Sequence, residues 1–268
     1  METLCIIPAR GGSKGLPKKN LVTIAGRSLF SLAAECVKNS QEIDRTVVST
    51  DSGEIAAHAR ALGLEVPFLR PADLAMDDTP DWPVFHHCLQ WLKDHEGYAP
   101  EIVVHLRVTS PWAFKRTRNG PGGLAANWTA VPRERVVDAA VAMLKANEDL
   151  DSVRSVELVR DTPYKMWRIE GHRLMPLLDV GVSEIYNVPR QKLPPVYLQN
   201  GYVDAARHHT VMEAKSMSGR TIGAYVVDCD HLVDIDGYAD VDIGERLYQE
   251  IVKGSWLALD PTPGARPG

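Results

Sequence analysis

The 268-residue sequence holds no Cys-x-x-Cys pair: Cys5, Cys36, Cys88 and Cys229 are scattered, with no histidine at zinc-finger spacing. A zinc ribbon is therefore excluded, and all four read as reduced thiols. No apolar run approaches the roughly 20 residues needed to span a bilayer, so no membrane partner is expected and the cytoplasm is the expected location. Charge of one sign is lacking as well. Thirty basic against 35 acidic residues give a net charge of −5, a weak electrostatic case for nucleic acid as partner. The 20 glycines and 18 prolines follow no repeat, which removes collagen, solenoid and low-complexity readings. A chain that is 44% hydrophobic and 24% charged remains, long enough for a sizeable core in one or two domains.

Leu4 to Ala9 is a short apolar run bounded by Pro and a Gly pair, which suits a buried strand. Leu29 to Asn39 follows with helical spacing, Thr46 to Thr50 reads as a strand, and Glu54 to Leu62 as a helix stopped by Gly63. Asp81 to His95 then reads as helix and Ile102 to Leu106 as strand, interrupted only by His105. Such alternation predicts a Rossmann-like α/β fold: a mostly parallel sheet with helices on both faces, and ligands at the carboxyl ends of the strands. Trp112 to Pro132, rich in Gly, Pro and basic residues, reads as a long loop. Val136 to Leu144 resumes a helix. Ser152 to Leu158 and Lys165 to Glu170 are β-like pieces broken by prolines, consistent with a protruding β-rich region. Gly201 to Ala205 and Ile222 to Asp228 read as strands, Tyr238 to Val252 as a closing helix, and the Pro/Gly end as a frayed tail.

Two constellations carry chemistry. In the stretch from Pro8 to Asn20, Gly11, Gly12 and Gly15 let the backbone turn sharply and present N–H groups to an anion, while Arg10, Ser13 and Lys14 add charge and donors. The loop suits phosphates, yet it has neither the Gly-Lys-Ser/Thr ending of a Walker A loop nor a Gly-x-Gly-x-x-Gly pattern; a solvated basic turn is the plain alternative. Asp234 and Asp236 flank one apolar residue, so in an extended segment both carboxylates share a side. Hard oxygens at that spacing suit Mg²⁺, which takes one or two carboxylates together with substrate phosphates. Asp236 could instead cap a helix starting near Tyr238. The segment alone leaves both readings open; the phosphate loop at the other end of the chain favours the metal. The pairs His86-His87 and His208-His209 read as surface or core residues, and Trp82, Trp91 and Trp112 as packing.

The string from Ile7 to Asn20 resembles the signature of the CMP-sialic acid synthetase (acylneuraminate cytidylyltransferase) family. Further segments agree in order: Ser49-Thr50-Asp51, Arg70 with Asp77-Asp78-Thr79, Arg107 to Pro111, Pro163-Tyr164-Lys165, Pro189-Arg190-Gln191, Asn200-Gly201 and Asp234-Ile235-Asp236. The resemblance implies transfer of CMP from the co-substrate CTP to an acidic sugar, with release of pyrophosphate. It implies that Arg10, Gly11, Gly12, Ser13 and Lys14 hold the triphosphate and that Asn20 and Arg70 contact the nucleotide. The acceptor would meet Thr109, Ser110, Lys165, Arg190, Gln191 and Asn200. Lys14, Arg10 and Arg190 are the expected catalytic cations, with Mg²⁺ on Asp234 and Asp236. It further implies a homodimer formed through residues 158–195, with 1–157 and 196–255 as the nucleotidyltransferase domain and 256–268 as the tail.

Two departures bear on the acceptor. Arg107 stands where the sialic acid enzymes commonly carry Gln, and a guanidinium fork suits a carboxylate, phosphate or phosphonate. The segment after Pro111 is also long and basic, with Lys115, Arg116 and Arg118, and could act as a lid or serve as a surface insertion. The partner expected beside CTP is thus a small anionic acceptor: a sialic acid-like nonulosonic acid, or alternatively a small phosphonate such as phosphonoformate. A nucleotide-sugar glycosyltransferase also combines an α/β fold with an Asp-x-Asp pair, but lacks such a loop at the first strand. A nucleotide-sensing protein on the same sheet is the non-enzymatic rival.

Overall fold

The first strand shows how the sequence sets the layers. In β1 (Thr3–Pro8), Leu4, Cys5, Ile6 and Ile7 are all fully buried, as an inner strand covered on both faces requires. Side-chain alternation divides them: Cys5 and Ile7 join one core cluster, Leu4 and Ile6 the other. This computed structural model describes residues 1–13, 15–116 and 128–253.

A small hairpin, β2 (Thr23–Ile24) and β3 (Arg27–Ser28), leads into α1 (Leu29–Asn39). Ser28 Oγ fixes its start by accepting the Ser31 amide N–H at 3.0 Å. After β4 (Arg45–Ser49), α2 (Gly53–Ala61) is capped in the same way by Ser52, and α3 (Asp81–Glu96) precedes β5 (Ile102–His105). Next come β6 (Trp112–Arg116), β7 (Trp128–Val131), α4 (Arg133–Ala146) and β8 (Ser152–Leu158). A hairpin of β9 (Trp167–Glu170) and β10 (Arg173–Pro176) lies outside the main sheet and is almost wholly exposed. The chain then returns through β11 (Tyr197–Arg207), α5 (His208–Met212), β12 (Ile222–Val226), β13 (His231–Val233) and α6 (Tyr238–Leu247).

The central sheet has the order β12-β8-β11-β5-β1-β4. Five strands run the same way, and only β11 opposes its two neighbours, β5 and β8. The mostly parallel α/β fold expected from the sequence is therefore present. Among the described residues, no helix is long and apolar enough to cross a membrane.

Several boundaries differ from expectation. The presumed long loop after Pro111 contains two paired strands: β6 runs antiparallel to β7 and also to β13. Ala113 and Phe114 are fully buried, so this arm belongs to the core. Gly and Pro in residues 117–127, which lie outside the described residues with Arg118, obscured the alternation on either side. Lys165 closes a short 3-10 turn capped by Thr162, and the strand begins only at Trp167. The closing helix keeps α geometry only to Leu247 and continues as a π-helical turn over Tyr248–Lys253. The 256–268 tail is outside the described residues.

Candidate active site

From β1 the chain crosses through α1 to β4 on one side, while β5 lies on the other side of β1. A crevice at the carboxyl ends of these strands is where such a sheet binds ligands. A cavity of about 250 Å³ opens there. Arg10, Gly12 and Ser13 line it after β1, Arg70, Asp77 and Thr79 from the connection before α3, and Arg107 and Thr109 after β5.

The glycine loop is held by neighbouring elements. Gly11 N–H donates to Asp51 Oδ1 at 2.9 Å, and a side chain at Gly11 would put its Cβ 2.9 Å from Ser52 Cβ. Glycine at this position is thus dictated by the close approach of the loop to the start of α2. The Asn20 amide donates to the Arg10 carbonyl at 2.9 Å, so Asn20 braces the loop as well as lining the cavity. Arg10 pairs with Asp77 at 2.5 Å. Lys14 lies outside the described residues.

Arg70 is 6% exposed, and its Nε and Nη2 atoms are buried without a hydrogen-bond partner. Burial lowers its affinity for a proton, opposed in part by the field of Asp51. A buried, under-satisfied guanidinium bordering a cavity is a ready donor set for a polar or anionic group.

Two segments far apart in the sequence meet at this loop. Ile235 is buried between the exposed Asp234 and Asp236, as the alternation requires. Its N–H donates to the Thr109 carbonyl at 2.8 Å, and Ser110 Oγ donates to Asp234 Oδ1 at 3.1 Å. Lys19 Nζ donates to Asp236 Oδ1 at 2.7 Å. A Cβ on Gly15 would stand 2.9 Å from the Asp236 carbonyl oxygen, so the backbones touch. Asp236 does not cap α6. That position is Gly237, and the Asp240 carboxylate accepts the Gly237 and Asp236 N–H groups at 2.8 and 3.0 Å. Two exposed hard carboxylates beside a cationic loop fit Mg²⁺ shared with phosphates, although Lys19 occupies one oxygen of Asp236. Among the described residues, no group of three or more His, Cys, Asp or Glu is placed to hold a metal ion.

The expected acceptor residues do not gather in one place. Arg107 and Thr109 line the cavity, with Ser110 buried beside them. Asn200 lies on β11, its Oδ1 accepting from Ser155 Oγ at 2.7 Å and from the Tyr202 N–H, while its Nδ2 is buried and unpaired. Arg190 and Gln191 instead line a separate groove with Leu158, Thr162 and Pro194, and Lys165 Nζ donates to the Tyr186 carbonyl at 2.8 Å. Within one chain these three do not line the cavity with the loop. Arg107 is not the free fork that its residue type suggested, since Asp81 and Asp204 both bind it. Asp81 and Asp204 escaped the sequence reading of the site, whereas Lys19 was read within the basic glycine loop and Asp51 at a strand end beside it, without their partners.

His105 is 2% exposed and is held well below the ordinary histidine range, first by burial and then by Arg107, Arg133 and Arg154. Burial also raises the thiols, pushing Cys36 and Cys229 up to about 12, so none is a poised thiolate nucleophile. His86 and His87 pack against Trp82 and Phe68, as expected of core or surface histidines.

The chain resembles known cytidylyltransferases in sequence and in fold. Residues 4–113 match the profile of the cytidylyltransferase family. The chain is 28% identical over 253 residues to the CMP-N,N'-diacetyllegionaminic acid synthase of Campylobacter jejuni subsp. jejuni serotype O:2, covering 92% of this chain and 94% of that one. It is 26% identical over 249 residues to the N-acylneuraminate cytidylyltransferase of Escherichia coli O18:K1:H7, covering 93% of this chain and 52% of the relative. Its fold is like that of a CMP:2-keto-3-deoxy-manno-octonic acid synthetase solved with CTP, at a TM-score of 0.62 and 14% identity, covering 94% of this chain and all of that one. In sequence over residues 4–113, and in fold over nearly its whole length, the chain is similar to the cytidylyltransferases and is CMP-sialic acid synthetase-like.

Proposed function

We propose that this protein transfers CMP from CTP to a sialic acid-like nonulosonic acid and releases pyrophosphate. The observation that carries this reading is that the glycine loop borders the cavity and the Asp234–Asp236 segment packs against that loop, joined to it by Lys19 and Asp236. The relatives named for legionaminic acid and N-acylneuraminate support this acceptor class over a phosphonate. The family match favours nucleotidyl transfer over the glycosyltransferase reading.

In this reaction an acceptor hydroxyl oxygen gives up its proton to solvent and bonds to the α-phosphorus of CTP as the bond to the departing pyrophosphate breaks. Positioning and neutralisation of charge supply the acceleration. Arg10 and the Gly12–Ser13 turn border the triphosphate, and Lys14, by its place in the sequence, adds a cation to the leaving group. Arg70 and Asn20 orient the nucleotide. Asp234 and Asp236 would hold Mg²⁺, which polarises phosphate oxygens and neutralises developing charge. Ser110 steadies Asp234, and Lys19 steadies Asp236.

Residues 158–195 form the dimerisation extension in this proposal. Ile169, Leu174 and Val182 are more than half exposed there, an apolar surface of the kind a partner covers. A homodimer would also give Lys165, Arg190 and Gln191 a route to a second subunit's acceptor pocket. The deciding experiment is pyrophosphate release with CTP, Mg²⁺ and a panel of sialic, legionaminic and pseudaminic acids. Turnover with at least one is expected. Release with none of them, from folded protein that binds CTP, would reject the acceptor class and favour a nucleotide-binding role.

A further inference from the structure

Arg107 is surrounded by carboxylates. Its Nη1 donates to Asp204 Oδ2 at 3.0 Å and to the Gly201 carbonyl at 3.2 Å, and its Nη2 donates to Asp81 Oδ2 at 3.2 Å. Asp81 is the first residue of α3, and Asp204 is a buried residue of β11. The backbone of Arg107 is fixed too. Its carbonyl accepts from Arg133 Nη1 at 2.8 Å, and Arg133 Nε and Nη2 donate to the Tyr202 carbonyl at 3.1 and 2.6 Å. Arg133 thus ties the end of β5 to the same turn of β11 whose Gly201 carbonyl binds the Arg107 side chain.

A row of cross-strand partners continues beneath. Asp204 is in register with His105 on β5 and with Arg154 on β8, and Arg154 Nε stands 4.0 Å from Asp204 Oδ1. Asp81 and Asp204 thus answer Arg107 and Arg154, with the buried guanidinium of Arg133 close behind, and burial keeps His105 neutral among them. A compact anion reaching Arg107 would meet two carboxylates already on the fork, and like charges in contact oppose binding. A hydroxyl or amide can share a guanidinium N–H or a carboxylate lone pair without that repulsion.

We propose that Asp81 and Asp204 are specificity-determining residues, which occupy Arg107 and convert it from an anion receptor into a carboxylate-paired surface for a neutral hydroxyl or amide substituent of the acceptor. The inference rests on the acceptor reading above and adds that the Arg107 end of the cavity, unlike the glycine-loop end, disfavours small polyanions. Its test is a binding measurement and needs no turnover, so its failure is separable from failure of the activity. Phosphonoformate is titrated calorimetrically into CTP-saturated wild-type protein, Asp81→Asn, Asp204→Asn and the double variant Asp81→Asn/Arg107→Ala, each first checked by thermal melting. Asp81 is half-exposed and its amide is nearly isosteric, so that variant keeps the test open if the buried Asp204→Asn fails to fold. The expected result is affinity about tenfold or more tighter in Asp81→Asn than in wild type, with the gain abolished when Arg107 is also removed. Equal affinity in wild type and Asp81→Asn, or a gain that persists without Arg107, overturns the proposal.

Discussion

Lys19 Nζ and Asp236 Oδ1 meet at 2.7 Å although 217 positions separate them in the chain. The pair places one of the two proposed metal-binding carboxylates against the loop that borders the proposed nucleotide cavity. Asp236 is 74% exposed on its side chain, and an exposed ion pair contributes at most about 1 kcal/mol to stability. The function of the pair should therefore show in turnover. Asp236→Asn is expected to lower kcat by about a hundredfold and to raise the Mg²⁺ concentration needed for half-maximal rate, with the melting temperature nearly unchanged. Pyrophosphate release across a Mg²⁺ series checks this, and an unaltered metal requirement would remove Asp236 from the metal site.

Gly11 provides a steric test of the loop. A methyl at this position meets Ser52 Cβ at 2.9 Å, so either the loop or the first turn of α2 must move. Gly11→Ala should raise the KM for CTP several-fold while costing about 1–3 kcal/mol of stability, the usual range for overpacking. Steady-state kinetics at saturating acceptor, with a denaturant melt alongside, measures both. An unchanged KM for CTP would mean that the loop does not position the nucleotide.

Much of this arrangement was legible in the residues. Buried strands such as Leu4 to Ile7 declare themselves as apolar runs, and the glycine loop as a break after the first of them. The Asp-x-Asp pair could be read because period-two alternation is a local rule, and the burial of Ile235 between two exposed aspartates follows it. What escaped was non-local. Nothing near Arg107 announces Asp81, 26 residues away, or Asp204, 97 away, so the charge of that arginine looked free. The arms around residues 117–127 were missed for another reason: Gly and Pro between them outweighed the short alternation of Ala113 and Phe114. Arg190 and Gln191 could be recognised by motif, yet motif order says nothing about which cavity a residue enters.

His105 sets a pH dependence of stability. The native state keeps this ring neutral, whereas an unfolded histidine takes up a proton near pH 6.5. Below that pH the unfolded chain binds more protons, so stability is complete above it and falls as the pH drops, by up to about 1.4 kcal/mol per unit for each such group. His87 and His208 are shifted the same way by burial and add to the slope. In His105→Phe, which keeps a ring against Phe85, the loss between pH 6.5 and 5 should be shallower than in wild type. Denaturant melts at several pH values decide the matter, and parallel curves for the two proteins would show that His105 titrates normally.

The extension yields a prediction about assembly that reaches the chemistry. Ile169 is 76% exposed and Leu174 59% on a hairpin outside the main sheet, where burial against a second subunit would repay their exposure to water. Light scattering of the wild type should give about twice the chain mass of 29.6 kDa, and Ile169→Asp should shift it toward a single chain. Because Lys165, Arg190 and Gln191 do not line the nucleotide cavity within one chain, the monomeric variant should retain CTP binding while its KM for the acceptor rises about tenfold or more. Full acceptor affinity in a demonstrated monomer would place these three residues outside catalysis, and a wild-type monomer would remove the extension's role in assembly.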